Sequence, residues 1–268
     1  MSPNLLTKGS IIGTIRPKNN EILEQFRAIL KPFDIEVMQG NLATLAGKTN
    51  LFVSIGGDGS YISLCREIST LKEASMFGIH TGHLGFLTDV NPQDLQAFCG
   101  ELMRGEYKKE RLFLLSVKIG TMELPAVNDV VILRKNSHST ATIYAYFEGR
   151  HFNTYKGDGL IASSALGSTA YNLSAGGAIL HAGVEAFCLT PICSHSLTQR
   201  PLIVPSNSNL TLKSGDDVSV VIDGQQSFNL SDFGEIQISV SSNFGVNLIR
   251  RKNRDYFEVL KEKLKWGE

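Results

Sequence analysis

The residues of this chain best suited to chemistry are Gly56-Gly57-Asp58-Gly59, which directly follow the apolar run Leu51–Ile55. A buried strand that ends in glycines leaves backbone N–H groups to face a phosphate, at the sheet edge where open α/β folds bind ligands. Apolar residues then recur at helical spacing over residues 61–71, and a helix N-terminus favours anions. A tight turn without a ligand is the alternative interpretation. The loop therefore predicts a phosphate site with one carboxylate, Asp58, beside it.

A second polar feature is the pair Asn128-Asp129, which lies within a predicted strand over residues 127–133. Neighbouring side chains of a strand point to opposite faces, so both can serve one ligand only at a bulge or a strand end. Local hydrogen bonds to the backbone are the ordinary explanation of such a pair. The functional interpretation is a polar clamp for the vicinal hydroxyls of a ribose.

A third segment, residues 157–177, is dominated by glycine, alanine, serine and threonine. Small side chains let a flat ring lie close to the backbone, while hydroxyls and amides recognise its polar edge. Tyr171 offers a stacking face. A Gly/Ser loop with helix caps is the alternative.

The elements that must position these residues change in pattern near residue 110. Before it, strands at residues 11–15, 34–38, 51–55 and 76–79 alternate with amphipathic helices. This alternation predicts an α/β amino-terminal domain over residues 1–110, with a doubly wound, Rossmann- or flavodoxin-like parallel sheet.

Residues 111–249 contain mainly short strands separated by turns such as Asp223-Gly224. They predict an all-β, β-sandwich-like carboxyl-terminal domain. Residues 250–268 predict a closing helix, whose apolar Phe257, Leu260 and Leu264 would pack back on the first domain.

Composition narrows the class of protein. The 268 residues carry a formal net charge of zero, which argues against nucleic acid or an anionic membrane surface as a partner. The start shows no signal-peptide pattern, and no run of about 18 apolar residues occurs. The four cysteines have neither zinc-site spacing nor the density of a disulfide scaffold. We expect a cytoplasmic enzyme with reduced thiols.

These motifs, in this order, closely resemble the NAD kinase family. Gly56-Gly57-Asp58-Gly59 matches its signature loop, Asn128-Asp129 its Asn-Glu pair, and residues 157–171 its glycine-rich nucleotide segment. Residues 81–89 and 264–267 also look like family sequence. The resemblance covers roughly residues 50 to 267, and five ordered matches are far more specific than one loop.

The resemblance implies transfer of the terminal phosphate of ATP, or of polyphosphate, to the adenosine ribose 2′-hydroxyl of NAD. Gly56, Gly57 and Gly59 would cradle the donor phosphates, within a phosphate-donor domain. Asp58 would accept the hydroxyl proton as general base, or position the hydroxyl or its metal. Mg²⁺, or another divalent cation, would arrive chiefly with ATP.

The resemblance also assigns residues to the NAD substrate. Asn128 and Asp129 would hold the adenosine ribose, and Asp158 would contact the nicotinamide amide, often across a subunit boundary. A homo-oligomer, dimer or tetramer, is therefore implied. The residues implied to line the base pockets are Thr169, Ala170, Tyr171 and Ser174, with Phe86 nearby.

Several residues depart from the family pattern, and two rival functions share parts of it. Asp129 is one methylene shorter than the usual Glu, while Leu166 and His80 also differ, which leaves the preference for NAD or NADH open. A lipid kinase of the diacylglycerol type shares the Gly-Gly-Asp loop but needs an apolar cleft. A non-catalytic NAD(P)-binding sensor would have no need of a base at Asp58.

Overall fold

The computed structural model describes residues 4–82, 85–265 and 267, with the backbone alone at residues 241 and 242. His83 and Leu84 of the segment 81–89, and Trp266 of the segment 264–267, lie outside the described residues. The chain divides into two compact units: Met1–Leu112 with Gly245–Glu268, and Phe113–Phe244.

The first unit is an α/β structure. Its strands and helices are β1 Ile11–Thr14, α1 Asn20–Leu30, β2 Glu36–Gln39, α2 Leu42–Leu45, β3 Leu51–Ile55, α3 Asp58–Ile68, β4 Ser75–Ile79 and α4 Leu95–Met103. The last strand of the chain, Glu235–Arg251, returns to this unit at its carboxyl-terminal end, and the helix Tyr256–Leu264 follows it.

The sheet of the first unit has parallel pairing between its neighbouring strands. Its order is β2-β1-β3-β4, with residues 247 and 248 of the last strand parallel to β4. Every residue of β3 and β4 is buried, as expected for parallel strands covered on both faces. The rings of Phe26, Phe77 and Phe98 meet edge to face, with centroids 6.0 and 5.3 Å apart. These ring contacts pack α1 and α4 against β4, the strand next to β3.

The second unit is built of strands. They are β5 Tyr107–Ile119, which enters from the first unit, β6 Met122–Ala126, β7 Asp129–Arg134, β8 Ala141–Phe147, β9 Arg150–Gly157, β10 Gly159–Ser164, β11 Ala186–Ile192, β12 Leu202–Pro205, β13 Leu210–Lys213, β14 Val218–Ile222, β15 Gln226–Asn229 and β16 Glu235–Arg251. The one-turn helix α5, Tyr171–Ser174, lies between β10 and β11, and α6 is Tyr256–Leu264.

Six of these strands form a separate antiparallel sheet in the order β12-β11-β10-β7-β14-β15. A second group pairs as β16-β13-β8-β9. One hydrophobic core holds residues of both groups, among them Ile132 of β7, Ile143 of β8 and Leu212 of β13. The sheets thus share a core in which β7 and β10, the strands that carry the polar motifs, are central.

The many short strands of the second unit agree with the strand-rich pattern predicted from the sequence, and β10 occupies residues 159–164 within the segment 157–177. Among the helices of the described residues, none combines the length and apolar character needed to cross a membrane.

Candidate active site

The glycine loop joins β3 directly to α3. Gly57 is the N-cap residue, with φ of −89° and ψ of −176°, and as a glycine it has no side chain with which to cap the helix. Asp58 is the first helical residue, so its negative charge lies in the first turn, where the helix dipole stabilises it. Gly56 N donates to Ile79 O at 3.0 Å, which ties the loop to the end of β4.

Close packing explains the glycine at position 56. A Cβ there would lie 2.6 Å from Ser60 Oγ and 3.3 Å from Lys18 Cγ. Lys18 is exposed, and its N–H donates to Ile55 O at 2.9 Å. The stem of a lysine therefore lies beside the loop, and a lysine ammonium is a common phosphate ligand. The sequence interpretation missed Lys18 because no pattern links it to a loop nearly forty residues away.

The carboxylate of Asp58 is held by four hydrogen bonds. Phe86 N donates to Oδ2 at 2.8 Å, and Leu87 N donates to Oδ1 at 3.2 Å. Thr88 donates to Oδ1 twice, through N and Oγ1, at 3.2 Å each. Three donors occupy Oδ1 and one occupies Oδ2, so Oδ2 retains the greater capacity to accept another hydrogen bond.

Gly85 leaves the space that this carboxylate fills. A Cβ at residue 85 would lie 2.0 Å from Asp58 Oδ1 and 2.6 Å from Thr88 Oγ1. Any side chain there would displace the carboxylate or the residues that hold it. Gly85 is thus a second residue that sequence reasoning missed, although it lies within the segment 81–89 that the reasoning singled out.

Two arginines bind carbonyl groups of residues 86 and 87, whose N–H groups hold Asp58. Arg254 donates to Phe86 O, and Arg250 donates to Leu87 O at 3.5 Å. The Asp89 carboxylate lies 3.1 Å from Arg254 Nη1 and 3.8 Å from Arg250 Nη1. Burial raises the pKa of Asp89 to about 6, and Arg250 opposes the rise. Residues 86–89 therefore link Asp58 to the carboxyl-terminal arginines. Phe86, predicted as an NAD contact, has both of its backbone polar groups engaged here.

In the second unit, Asn128 and Asp129 lie at the start of a strand. The predicted strand began at residue 127, whereas β7 begins at Asp129 and Asn128 precedes it. The alternation of side chains along a strand therefore does not separate the two. This is the strand-end arrangement that a two-residue clamp requires.

The polar atoms of this pair are poorly satisfied by the protein. Asn128 Oδ1 is buried and has no hydrogen-bond partner among the described residues. Asp129 is 5% exposed, and no hydrogen bond to its carboxylate is seen within the described part of the chain. Burial, and then the negative charge of Asp223, raise the pKa of Asp129 to about 7. Adjacent acceptors without donors suit a ligand that brings hydroxyl groups.

Three glycines of the segment 157–177 lie directly against protein backbone. A Cβ at Gly159 would lie 2.1 Å from Ile132 O, and one at Gly157 would lie 2.7 Å from Ile192 O. A Cβ at Gly167 would lie 2.1 Å from Asn128 O. At these three positions a side chain would meet neighbouring backbone, so packing within the protein requires the glycine.

The residues predicted to line the base pockets cluster after β10. Thr169 ends a short 3₁₀ helix, and Tyr171 and Ser174 bound α5. Tyr171 is 42% exposed, Ser174 is exposed, and Thr169 and Ala170 are half-buried. All four therefore remain accessible to a ligand.

Asn172 anchors this cluster, and sequence reasoning missed it. The residue is fully buried, and its Nδ2 donates to Ser168 O and Ala178 O at 3.0 Å each. Its Oδ1 accepts from Thr190 Oγ1 at 2.6 Å, which joins the turn to β11. A buried amide with three partners fixes the one-turn helix that is too short to be stable alone.

Asp158 pairs with Arg134. Arg134 Nε donates to Asp158 Oδ1 at 2.6 Å, and Arg134 N donates to Asp158 O at 3.0 Å. This hydrogen bond holds the pKa of Asp158 below its usual range. Arg134, which the sequence interpretation left without a role, thus orients the carboxylate predicted to contact the nicotinamide amide.

Across residues 4–82, 85–265 and 267, no three His, Cys, Asp or Glu side chains are grouped to hold a metal ion. At the glycine loop, Asp58 Oδ2 is the carboxylate oxygen with only one donor. That atom fits a cation that keeps most of its water and phosphate ligands, as Mg²⁺ does.

The chain is similar to proteins of one family. Residues 127–250 match the family model of the ATP-NAD kinase C-terminal domain. The chain is 46% identical over 224 residues to an NAD kinase of Campylobacter jejuni subsp. jejuni serotype O:23/36 (strain 81-176), covering 82% of this chain and 77% of the relative.

Two solved structures share the fold. The yeast NADH kinase complexed with NADH superposes with a TM-score of 0.88 at 24% identity, over 99% of this chain and 89% of the yeast chain. An NAD kinase from Archaeoglobus fulgidus in complex with ATP gives a TM-score of 0.81 at 24% identity, over 95% and 98%. With the sequence identity to the bacterial relative, these findings establish that the chain belongs to the NAD kinase family.

Proposed function

We propose that this protein is an NAD kinase that transfers the terminal phosphate of ATP to the adenosine ribose 2′-hydroxyl of NAD, producing NADP. The observation that carries the proposal is Asp58, a carboxylate fixed by four donors beside a glycine loop, in a chain of this family. The alternatives of a lipid kinase and a non-catalytic sensor gain no support from the comparisons.

The loop and the start of α3 serve the donor. The backbone of Gly56, Gly57 and Gly59 cradles the phosphates of ATP, and the Lys18 ammonium neutralises part of their charge. The A. fulgidus relative, which was solved with ATP, supports this choice of donor. Polyphosphate offers the same phosphate chemistry and stays a second donor.

Asp58 acts on the acceptor hydroxyl. The proton of the 2′-hydroxyl passes to Asp58 Oδ2 as the oxygen attacks the terminal phosphorus, and the bond to the leaving ADP breaks. The four donors fix the carboxylate, so Oδ2 keeps one orientation during transfer. Mg²⁺ that arrives with ATP would neutralise charge on the phosphates, and positioning of this cation is the alternative role of the Asp58 carboxylate.

Asn128 and Asp129 bind the adenosine ribose of NAD. The unpartnered Asn128 Oδ1 and the Asp129 carboxylate accept hydrogen bonds from the vicinal hydroxyls. Ligand binding then supplies the donors that the protein lacks at this position.

The remaining NAD contacts follow the accessible turn after β10. Thr169, Ala170, Tyr171 and Ser174 line the base pockets, with Phe86 contributing its side chain because its backbone is engaged elsewhere. Asp158, oriented by Arg134, contacts the nicotinamide amide of NAD bound by a second copy. A homo-oligomer, dimer or tetramer, in the cytoplasm is part of this proposal.

In fold terms, we propose a doubly wound, Rossmann- or flavodoxin-like donor domain and a β-sandwich-like NAD-binding domain. The parallel order of β1 to β4 and the core shared by the strands of the second unit support this description.

The direct test incubates purified protein with ATP, Mg²⁺ and NAD, and measures NADP with an NADP-specific dehydrogenase. We expect NADP to accumulate and ADP to form in equal amount. Parallel reactions with NADH, polyphosphate or diacylglycerol define acceptor and donor. Tight binding of NAD without NADP formation would instead favour the sensor.

A further inference from the structure

The turn between β14 and β15 carries an aspartate that reaches the start of β7. The Asp223 carboxylate accepts hydrogen bonds from Val127 N at 3.1 and 3.0 Å, Asn128 N at 2.7 Å and Asp129 N at 3.2 Å. Asp223 N in turn donates to Asp129 O at 3.0 Å. Three consecutive N–H groups therefore converge on one carboxylate.

Local turn chemistry alone does not explain this side chain. Asp223 and Gly224 have φ of 51° and 65°, and Gln225 N donates to Ile222 O at 2.9 Å. An Asp-Gly pair suits such a turn, but asparagine would suit it equally. The negative charge is the property that the turn does not require.

We propose that Asp223 is a positioning residue for the acceptor, one that holds Asn128 and Asp129 in place and sets the charge state of Asp129. This inference rests on the proposed function, because it assigns the pair to the ribose of NAD. Asp223 touches the backbone of the pair and leaves the side chains to the ligand.

The backbone N–H groups at the start of β7 need acceptors. Residues 127 and 128 precede β7, so their N–H groups lie before the strand's own pairing begins. A buried N–H without an acceptor costs about 1–3 kcal/mol. The Asp223 carboxylate is the acceptor for all three N–H groups of residues 127–129. The carbonyl of Asn128 accepts in turn from Ser164 N of β10 at 2.8 Å. The peptide that carries the clamp is thereby fixed at both edges.

The negative charge of Asp223 acts on the side chain of Asp129. Asp129 lies opposite Ser163 of β10, an uncharged neighbour, and the charged group that acts on it is Asp223. Burial and this like charge together raise the pKa of Asp129 to about 7. An ionised Asp129 accepts hydroxyl hydrogen bonds more strongly than the neutral acid. Affinity for NAD should therefore increase as the pH rises through about 7.

Asp223→Asn removes the charge and keeps the turn. Desolvation of Asp129 remains but the like charge is gone, so we expect the titration midpoint of Asp129 to fall towards its ordinary value. The pH at which the affinity for NAD rises should become lower by the same amount. Asp223→Glu keeps the charge on a longer stem, so it should retain the parent midpoint while binding NAD more weakly at every pH.

The test measures two quantities in the parent, Asp223→Asn, Asp223→Glu and a control, Asp216→Asn. The first is the carboxyl titration of Asp129 by NMR without ligand, and the second is the Kd of NAD by calorimetry between about pH 5 and pH 9. Asp216 is another turn aspartate of this unit that accepts a backbone N–H, from Thr142 at 2.7 Å, so its variant should behave as the parent.

An unshifted Asp129 titration in Asp223→Asn would overturn the proposal, as would an equal loss of NAD affinity at every pH. If the parent binds no NAD at any pH, the proposed function fails instead. The ligand-free titration would still decide the role of Asp223 in that case, so the two failures are distinguishable.

Discussion

Two aspartates, one in each unit, are held in opposite ways. Asp58 begins a helix, and four protein donors surround its carboxylate. Asp129 begins a strand, is 5% exposed, and lies beside the carboxylate of Asp223 instead of a donor. The protein itself supplies hydrogen-bond donors to the Asp58 carboxylate, whereas the described residues supply none to the Asp129 carboxylate.

The difference indicates two functional roles, one in the reaction and one in substrate recognition. A carboxylate that must act on a reacting atom benefits from one fixed orientation, since small displacements lower the rate strongly. A carboxylate that must recognise hydroxyl groups benefits from being unsatisfied until they arrive, because the ligand then gains the whole interaction. We therefore expect substitutions of Asp58 to change turnover, and substitutions of Asp129 to change affinity.

The largest effect is expected for Asp58→Asn. Asparagine keeps the size and part of the hydrogen bonding but cannot take the hydroxyl proton, so NADP formation should fall by about 10²–10⁴-fold. NAD affinity should stay within a few-fold of the parent. Steady-state kinetics and calorimetry measure the two quantities. Asp94→Asn, at an ion-paired aspartate beside Arg251 of the same unit, is the control and should retain the parent's turnover.

Gly85→Ala should reproduce much of the loss of NADP formation, although it leaves the residue at position 58 unchanged. The added methyl group would lie 2.0 Å from Asp58 Oδ1, so the carboxylate must move. We expect turnover to fall by about 10²-fold, with a stability loss of about 1–3 kcal/mol. Gly82→Ala is the matched control, since a Cβ there meets nothing within 4 Å. Equal kinetics for the two variants would show that Gly85 is not needed to position the Asp58 carboxylate.

Asp129→Asn should separate affinity from stability. The raised pKa means that the folded protein keeps a proton that the unfolded chain has lost, so ionisation destabilises the fold as pH rises from about 4 to about 7. The penalty is absent below about pH 4 and complete above about pH 7.

Asparagine at position 129 cannot ionise, so the variant should exceed the parent in stability by on the order of 2 kcal/mol at about pH 8, and should match it near pH 4. Its NAD affinity should nevertheless fall by about tenfold. Chemical denaturation at the two pH values and calorimetry test this pair of effects. A variant less stable than the parent at about pH 8 would contradict the assigned charge state.

The smallest effect is expected for Lys18→Ala. An exposed ammonium beside the glycine loop contributes on the order of 1 kcal/mol to phosphate binding, which corresponds to a rise of several-fold in KM for ATP. The turnover number should change little, and the effect should fade at high salt. Lys8→Ala, at an exposed lysine of the same unit, serves as control. An unchanged KM for ATP would show that Lys18 does not reach the phosphates.

The glycine loop could be predicted from the sequence because its signals are local. The run Leu51–Ile55, the glycines and the helical spacing that follows lie within about twenty consecutive residues, and the structure has β3 and α3 there. The family match followed from the order of such local motifs.

The residues that complete the site could not be predicted, because their contacts are long-range. Gly85 is required only by the Asp58 carboxylate, 27 positions earlier in the chain. Asp223 sits in an Asp-Gly pair, a pattern typical of turns, so nothing local signals that its carboxylate accepts a hydrogen bond from Asn128 N, 95 residues away. Gly159 shows the reverse, since its local composition indicated a ligand while the neighbouring Ile132 O required the glycine.

The most direct test of the contrast measures turnover and NAD affinity for Asp58→Asn and Asp129→Asn side by side, in one buffer at about pH 8, where Asp129 of the parent is ionised. We predict that Asp58→Asn loses turnover by at least about 10²-fold and keeps the Kd for NAD. We predict that Asp129→Asn weakens the Kd by about tenfold and keeps a larger share of its turnover at saturating NAD. Two variants that lose the same quantity, or a reversal of the two losses, would contradict the division of roles between the two aspartates.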